Sequence, residues 1–438
     1  MHASNQNLES YWMPFTGNRE FLKKPRIFKS ASGFFYRTAD GREILDAASG
    51  LWCSGLGHGH PKIVEAIRDA AGELDYVPAF QIGHPLAFEL ANRITDCLPE
   101  PLQHVFYTTS GSEAVDTALK VALAFHRCRG EGARTRLIGR ERAYHGAGFG
   151  GTSVGGMMKN RRSFGPLLPG VDHLPHTHDL ARNAFSRGEP EWGSRLADEL
   201  QRIVDLHDAS TIAAVIVEPV AGSAGVFVPP RGYLRRLREI TKRHGILLIF
   251  DEVITAFGRL GAGSAAERFD VVPDILTMAK GMTAGTVPMG GIAVSHDVYD
   301  AFMRQTEDGI ELFHGYTYSG HPLACAAGVA AMRVYEEEDV FSRAAALAPY
   351  LEDAVHSLRG SPNVVDVRNI GLMSGIEVAT RSDGAGKRGH DVFLQGLDAG
   401  VYYRVNGDTI AIAPPLISEK RHVDMAVETL RKILTGLG

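Results

Sequence analysis

Apolar residues recur along the chain in two alternating patterns. Ile212–Val217 and residues 246–250 are continuous apolar runs, which are typical of short strands buried on both faces of a sheet. Gly111–Cys128 and residues 230–244 instead carry their apolar side chains on one face, as amphipathic helices do. Because such segments alternate over residues 60–300, the pattern predicts an α/β fold with a mixed, mostly parallel sheet covered by helices.

The pattern changes after residue 320. A helix rich in small residues is expected over residues 323–334, and short strands and helices then continue to the C-terminus. A chain of 438 residues is long enough for two domains with separate cores. We therefore predict a large domain over residues 55–320 and a smaller α+β domain built from residues 1–54 and 321–438.

The composition is that of an ordinary folded protein and argues against several kinds of partner. The net charge of −5 disfavours a nucleic-acid-binding surface, and no apolar run approaches the roughly 20 residues that span a bilayer. Residues 1–7 show no basic segment followed by an apolar core, and the cysteines are isolated, so we expect a cytoplasmic protein with reduced thiols. His173, His176 and His178 lack the spacing of a metal site, so no metal is predicted.

Two titratable residues stand at the ends of apolar, strand-like runs. Lys280 closes the run at residues 274–279, and Asp251 closes the run at residues 246–250. A lysine in an apolar pocket has a lowered pKa and becomes a usable nucleophile, although most lysines in proteins are simply exposed. Pyridoxal phosphate needs a lysine that forms a Schiff base and an acid that keeps its pyridine nitrogen protonated. The pair therefore predicts a pyridoxal phosphate site.

A third strand end offers a binding site for an anion. Ser110, Gly111 and Ser112 lie where the strand-like segment at residues 104–108 meets the helix. Hydroxyl and backbone N–H groups at a helix N-terminus bind phosphate, and the helix dipole favours the negative charge. The same residues equally suit an ordinary N-cap, and the two interpretations stand about even on this motif alone.

Two more strand ends complete the predicted site. Tyr144 and His145 follow the strand-like segment at residues 136–139, and Glu218 follows Ile212–Val217. A tyrosine at a strand end can stack on a planar cofactor or pack in the core. Ligands of open α/β sheets bind at the carboxyl edge of the strands. We therefore predict that Tyr144, His145 and Glu218 belong to the cofactor site.

Two longer segments carry a family resemblance. Residues 250–259 read FDEVITAFGR, and residues 314–322 read HGYTYSGHP. Together with the strand-end residues, they resemble the class III, fold-type I pyridoxal-phosphate-dependent aminotransferases, from about Trp12 to the C-terminus. The resemblance implies a transaminase with the large and small domains of fold type I and with pyridoxal phosphate as its cofactor.

The resemblance also implies roles for the residues around the cofactor ring. Lys280 would hold the cofactor covalently and then act as general acid and base. Asp251 would pair with the pyridine nitrogen, and His145 would hydrogen-bond to Asp251. Val253 and Tyr144 would enclose the two faces of the ring.

The phosphate group of the cofactor would be shared between two subunits. Ser110, Gly111 and Ser112 would bind it from one subunit, and Thr317 would reach in from the other. The resemblance therefore implies a homodimer, or a homotetramer built from dimers.

Substrate preference follows from two departures from related branches. The ornithine and 4-aminobutyrate branches carry a glutamate and a glutamine where this chain has Ser223 and Ile254. Their absence favours pyruvate as the amino acceptor, with β-alanine-like ω-amino acids, taurine-like amines, diamines or other primary amines as donors. Arg404 would bind a substrate carboxylate through two parallel hydrogen bonds, unless it is a salt-bridged strand arginine. Trp52 and Phe80 would line the substrate pocket, or pack in the core.

Two other functions are compatible with parts of the sequence. An aminomutase on the same scaffold would move the amino group within one molecule, and these residues do not exclude it. A nicotinamide-dependent enzyme is suggested only by the glycines at residues 55–59, which no strand precedes and which Pro61 follows. A transaminase that uses pyruvate is therefore the function that we predict.

Overall fold

The computed structural model describes residues 7–305 and 309–437. Its strands, labelled in chain order, are β1 Phe28–Ser32, β2 Phe35–Thr38, β3 Glu43–Asp46, β4 Leu102–Thr108, β5 Arg136–Arg140, β6 Val171–Leu174, β7 Ile212–Val217, β8 Leu247–Asp251, β9 Ile275–Met278, β10 Gly290–Ser295, β11 Val364–Ile370, β12 Met373–Val378, β13 Val401–Tyr402, β14 Arg404–Asn406 and β15 Thr409–Ile412. Its α-helices are α1 Asn18–Lys23, α2 Ser49–Trp52, α3 Pro61–Glu73, α4 Pro85–Asp96, α5 Gly111–Cys128, α6 Phe149–Val154, α7 Met158–Arg161, α8 Leu180–Asn183, α9 Glu199–His207, α10 Tyr233–His244, α11 Ala265–Phe269, α12 His296–Met303, α13 Pro322–Glu337, α14 Val340–His356, α15 Lys387–Asp398 and α16 Lys420–Gly436.

The largest sheet has seven strands in the order β4-β10-β9-β8-β7-β5-β6. The strands from β9 to β6 pair in parallel, and β10 runs antiparallel to both β9 and β4. β4 therefore runs in the same direction as the parallel strands. Every residue of β7 and β8 is buried, as continuous apolar strands of a parallel sheet are. The mostly parallel sheet is thus confirmed, and the carboxyl ends of β4, β5, β7, β8 and β9 share one edge.

Local sequence explains where the helices around this sheet begin and end. Ser110 caps α5 by accepting a hydrogen bond from the backbone N–H of Glu113 at 3.2 Å. The basic helix expected from residue 230 begins only at Tyr233, because the preceding Gly232 adopts a φ of 81° that interrupts helical geometry. Gly245 ends the same helix with a φ of 64°, which glycine adopts at little cost.

Two four-stranded sheets form the rest of the fold. One is antiparallel, in the order β11-β12-β15-β14, and the other has the order β1-β2-β3-β13. β13 pairs in parallel with β3, so Val401 lies opposite Leu45 and the N-terminal segment joins the C-terminal part of the chain. The division at residues 54 and 320 stays a prediction. In the part of the chain that the structure describes, no helix is both long enough and apolar enough to cross a membrane.

Candidate active site

A cavity of about 330 Å³ opens at the edge where the parallel strands of the large sheet end. Because these strands place their last residues at one edge, side chains that are distant in sequence meet there. The predicted cofactor residues that line this cavity are Ser110, Gly111, Ser112, Tyr144, His145, Glu218, Asp251, Val253 and Lys280.

Lys280 lies just after β9, with its amine at the wall of the cavity. Its backbone has a φ of 37°, in the left-handed region that residues other than glycine rarely adopt. Desolvation lowers the pKa of Lys280, against the opposing influence of the Cys53 thiol and of the Asp251 and Glu218 carboxylates. At neutral pH the amine is therefore uncharged more often than that of a surface lysine, which is the form that a nucleophile needs.

Asp251 is the last residue of β8, and three groups fix the orientation of its buried carboxylate. His145 Nδ1 lies 2.7 Å from one oxygen, while the Thr277 hydroxyl donates to the other at 3.0 Å and the backbone N–H of Val253 donates to it at 3.2 Å. His145 is itself buried, and its Nε2 has no hydrogen-bond partner among the described residues. The arrangement holds a carboxylate that can accept a hydrogen bond from a protonated ring nitrogen.

The N-terminus of α5 also lines the cavity. Ser110 is the N-cap of α5, so the N-cap interpretation is confirmed, and the anion-binding interpretation remains compatible with it. The Ser112 hydroxyl accepts a hydrogen bond from the backbone N–H of Ala147 at 3.0 Å. This contact requires a glycine at position 146, where φ is 90° and a Cβ would lie 2.5 Å from Ser112 Oγ. The glycine-rich loop thus approaches the helix N-terminus closely.

Glu218 has a structural role that the sequence does not reveal. One of its buried carboxylate oxygens accepts a hydrogen bond from the backbone N–H of Tyr144 at 2.9 Å, and Arg140 donates to its backbone carbonyl at 2.8 Å. Burial raises the pKa of Glu218 to about 7. Glu218 therefore positions Tyr144, and it is a third titratable group beside Lys280 and Asp251.

The remaining wall of the cavity includes residues that the sequence analysis names and residues that it does not. Ser223 and Ile254, which the sequence assigns to acceptor preference, line it. Cys53 and Gly285 also line it, and no sequence motif marks either of them. Their closeness is a consequence of packing, since a Cβ on Gly285 would lie 2.9 Å from Cys53 Cβ.

Arg404, in β14, does not line this cavity but a separate cleft. Two residues further on, Asn406 donates to the backbone carbonyl of Ser223, a residue of the cavity, at 2.6 Å. The positive charge of Arg404 adds to desolvation in lowering the pKa of Lys280. The guanidinium therefore lies near enough to the amine to act on it electrostatically. Its Nε is buried and donates to no acceptor among the described residues. Among residues 7–305 and 309–437, no carboxylate forms a salt bridge with Arg404, which disfavours its interpretation as a structural ion pair.

Three other predicted residues do not line the cavity of the single chain. Trp52 is buried in an apolar cluster with Ile254, which is itself a residue of the cavity wall. Phe80 is 57% exposed, and Thr317 accepts a hydrogen bond from the Tyr76 hydroxyl through its backbone carbonyl at 3.0 Å. Their contacts with substrate and cofactor stay predictions.

One cluster away from the cavity brings together ligand types that metals favour. His178, Asp366 and Glu377 place one potential ligand atom each within 4.8 Å of one another. Arg368 already donates to Asp366 at 2.5 Å and to Glu377 at 2.8 Å. A guanidinium therefore supplies the positive charge that these carboxylates need.

Comparisons with known proteins agree with this geometry. A family model described as Aminotransferase class-III matches residues 17–434. An omega-aminotransferase of Caulobacter vibrioides is 60% identical over 428 residues, covering 98% of this chain and 98% of that protein. A beta-alanine–pyruvate aminotransferase of Pseudomonas aeruginosa is 48% identical over 438 residues, covering 99% of this chain and 97% of that protein.

A solved structure shows the same fold. The omega transaminase of Pseudomonas jessenii in complex with PMP superimposes on this chain with a TM-score of 0.92 at 30% identity, covering 98% of this chain and 96% of that one. The likeness spans almost the whole chain and confirms the α/β transaminase fold.

Proposed function

Because the chain belongs to the class III aminotransferase family, we propose that it transfers an amino group from a β-alanine-like ω-amino acid or a primary amine to pyruvate, with pyridoxal phosphate as its cofactor. The products are alanine and a semialdehyde, aldehyde or ketone. The observation that carries the proposal is that Lys280, the Asp251–His145 pair and the N-terminus of α5 face one cavity.

The residues of the cavity fit pyridoxal phosphate. The first N–H groups of α5 and the hydroxyls of Ser110 and Ser112 suit the phosphate. Gly111 suits a closely packed ring, because a Cβ at that position would already meet Val253 at 3.0 Å. Asp251 suits the protonated pyridine nitrogen. When bound, the cofactor supplies an electron sink for the substrate carbon that loses its proton.

The groups of the protein orient the reactants and move protons. Lys280 Nζ, whose pKa is lowered, accepts and returns the proton at the substrate carbon that carries the amino group. His145 keeps the Asp251 carboxylate oriented through their 2.7 Å contact. Glu218 holds Tyr144 in place, and Tyr144 and Val253, which both line the cavity, would enclose the two faces of the ring.

The substrate side of the cavity favours pyruvate as acceptor. Ser223 and Ile254 provide no acidic partner for Arg404, so its guanidinium stays available to a substrate carboxylate. Pyruvate and β-alanine each carry one carboxylate that such a group binds through two hydrogen bonds. The relative from Pseudomonas aeruginosa, a beta-alanine–pyruvate aminotransferase, supports the same assignment.

We also propose that the enzyme is a homodimer or a homotetramer of dimers, in the cytoplasm. Trp12, Phe15 and Phe313 are 88%, 81% and 86% exposed, and an interface between subunits would cover such aromatic side chains. Thr317, which does not line the cavity of its own chain, then reaches the neighbouring site. The cysteines among the described residues are all free thiols, as in a reducing compartment.

The direct test of the proposed function is product formation by purified protein loaded with pyridoxal phosphate. Alanine should form from pyruvate when β-alanine is supplied. A panel of ω-amino acids, diamines and aryl amines then ranks the donors. Absence of alanine with every donor would refute the proposal, and turnover of an amino acid without any keto acid would favour an aminomutase.

A further inference from the structure

A buried guanidinium without an acidic partner lies beside the active site. Arg259 is 3% exposed. Its Nη1 donates to the backbone carbonyls of Leu372 at 3.1 Å and Pro414 at 2.7 Å, and its Nη2 donates to the Ser49 hydroxyl at 3.1 Å. Within residues 7–305 and 309–437, no carboxylate forms a salt bridge with it. Burial lowers the pKa of Arg259 to about 10, so the group is still charged at neutral pH. A buried charge that forms no salt bridge is costly, and these hydrogen bonds compensate it together with the electrostatic influence of the Asp46 carboxylate, which raises the pKa of Arg259 against the effect of burial.

The three acceptors of Arg259 belong to segments that are distant in sequence. Leu372 precedes β12, Pro414 follows β15, and Ser49 is the first residue of α2. Ser49 extends the connection, because its hydroxyl also donates to the carbonyl of Ala413 at 2.7 Å. One guanidinium therefore ties the α2 segment to two segments of the C-terminal sheet.

The α2 segment that Arg259 anchors has a strained backbone. Ser49, Gly50 and Trp52 have φ values of 47°, 66° and 60°, which glycine alone adopts freely. Asp46 supplies a second anchor, because its carboxylate accepts a hydrogen bond from the backbone N–H of Gly50 at 2.6 Å. Such a backbone persists only where its surroundings hold it.

The anchored segment forms one wall of the active-site cavity. Cys53 directly follows α2 and lines the cavity, where it packs closely against Gly285. Trp52 packs in a cluster with Ile254, which lines the cavity as well. A shift of the segment would therefore displace two parts of the surface that meets the substrate.

We infer that Arg259 is a positioning residue for donor selectivity, which fixes the α2 segment and thereby the cavity wall at Cys53 and at Ile254, against which Trp52 packs. Arg259 does not itself line the cavity, so it acts on substrates through this wall. A fixed wall discriminates against bulky donors, because a large substituent needs the wall to yield and a small one does not. The inference rests on the proposed function only where it is tested by the kinetics of amino transfer.

Arg259→Lys tests the inference in the holoenzyme. Lysine keeps the charge but lacks the planar fork that serves several acceptors at once. The ratio of kcat/KM for 1-phenylethylamine to that for β-alanine should rise, because a wall that yields admits the larger donor. The rate at which a thiol reagent labels Cys53, followed by peptide mass spectrometry, should rise as well, because a loosened wall exposes the thiol.

Two further variants make the test specific. Arg134 also serves three backbone carbonyls, those of Ala209 at 2.7 Å, Ile212 at 3.2 Å and His244 at 3.2 Å, and it pairs with Glu131 at 2.7 Å, so Arg134→Lys is a control for a multiply bonded guanidinium away from the cavity wall. It should leave the donor ratio and the labelling unchanged. Ser49→Ala should reproduce the effects of Arg259→Lys, and the double variant should add little, because the two residues share one contact. Ser49→Ala also serves if Arg259→Lys does not fold.

An unchanged donor ratio with unchanged labelling of Cys53 would overturn the inference, and so would equal changes in Arg134→Lys. Labelling does not depend on turnover. It therefore tests the role of Arg259 even if β-alanine and pyruvate are not substrates, and the two proposals can fail separately.

Discussion

Arg404→Gln is the substitution that tests the carboxylate site most sharply. The guanidinium lies beside the cavity without an acidic partner in the described chain, and its buried Nε donates to no protein acceptor. Its hydrogen-bonding capacity is therefore free for a substrate. A hydrogen bond to a charged group contributes roughly 1.5–3 kcal/mol, so two parallel bonds contribute about 3–6 kcal/mol. We expect kcat/KM for pyruvate to fall about 10²–10⁴-fold.

The assay for this prediction compares two acceptors that share a keto group, of which only one carries a negative charge. Initial rates of amino transfer are measured with pyruvate and with methyl pyruvate, which has the same keto group but no carboxylate. The loss in Arg404→Gln should be confined to pyruvate, and Arg404→Lys should lose less because it retains the positive charge. Equal losses with both acceptors, or no loss with pyruvate, would refute the reasoning.

Three further predictions concern the cofactor side of the cavity. Lys280→Ala should remove nearly all turnover in a steady-state assay, since proton transfer alone contributes about 10²–10⁴-fold, and retention of the wild-type rate would contradict its role. Asp251→Asn should still bind the cofactor, as its absorbance will show, but should slow turnover because a neutral amide does not stabilise the protonated pyridine nitrogen; an unchanged rate would exclude the pairing. The pKa of Glu218 is about 7 in the folded protein and 4.5 in the unfolded chain. Between these two pH values the unfolded chain releases the proton more readily, so the free energy of unfolding falls as pH rises. The total loss is about 3 kcal/mol. The free energy of unfolding of Glu218→Gln, measured in urea, should therefore rise relative to that of the wild type between about pH 5 and about pH 8. If the difference between variant and wild type is the same at both pH values, the raised pKa is contradicted.

The cofactor side of the site could be predicted from the sequence because its residues stand at strand ends. Asp251 and Glu218 each follow a continuous apolar run and Lys280 a largely apolar one, and parallel strands bring their carboxyl ends to one edge. The strand boundaries predicted from the sequence also lie close to those of the structure, because buried strands have a strong apolar signature. Here local pattern and tertiary position agree.

The substrate side could not be predicted in the same way. Cys53 and Gly285 meet in the cavity across more than two hundred positions, and no local pattern encodes that contact. Arg259 was visible only as part of a longer motif, and its acceptors become apparent once the C-terminal sheet and the α2 segment are packed. Trp52 packs in an apolar cluster with Ile254 in the single chain, and its contact with substrate stays a prediction. Such positions depend on packing between segments that are distant in sequence.

The most direct test of the proposed function is a half-reaction on purified protein loaded with pyridoxal phosphate. β-Alanine is added without any acceptor, and the visible absorbance of the bound cofactor is followed. The absorbance should be lost, and it should return on addition of pyruvate but not of 2-oxoglutarate. If no donor in the panel changes the absorbance, or if 2-oxoglutarate restores it as well as pyruvate does, the assignment as an ω-amino acid or amine–pyruvate transaminase is contradicted.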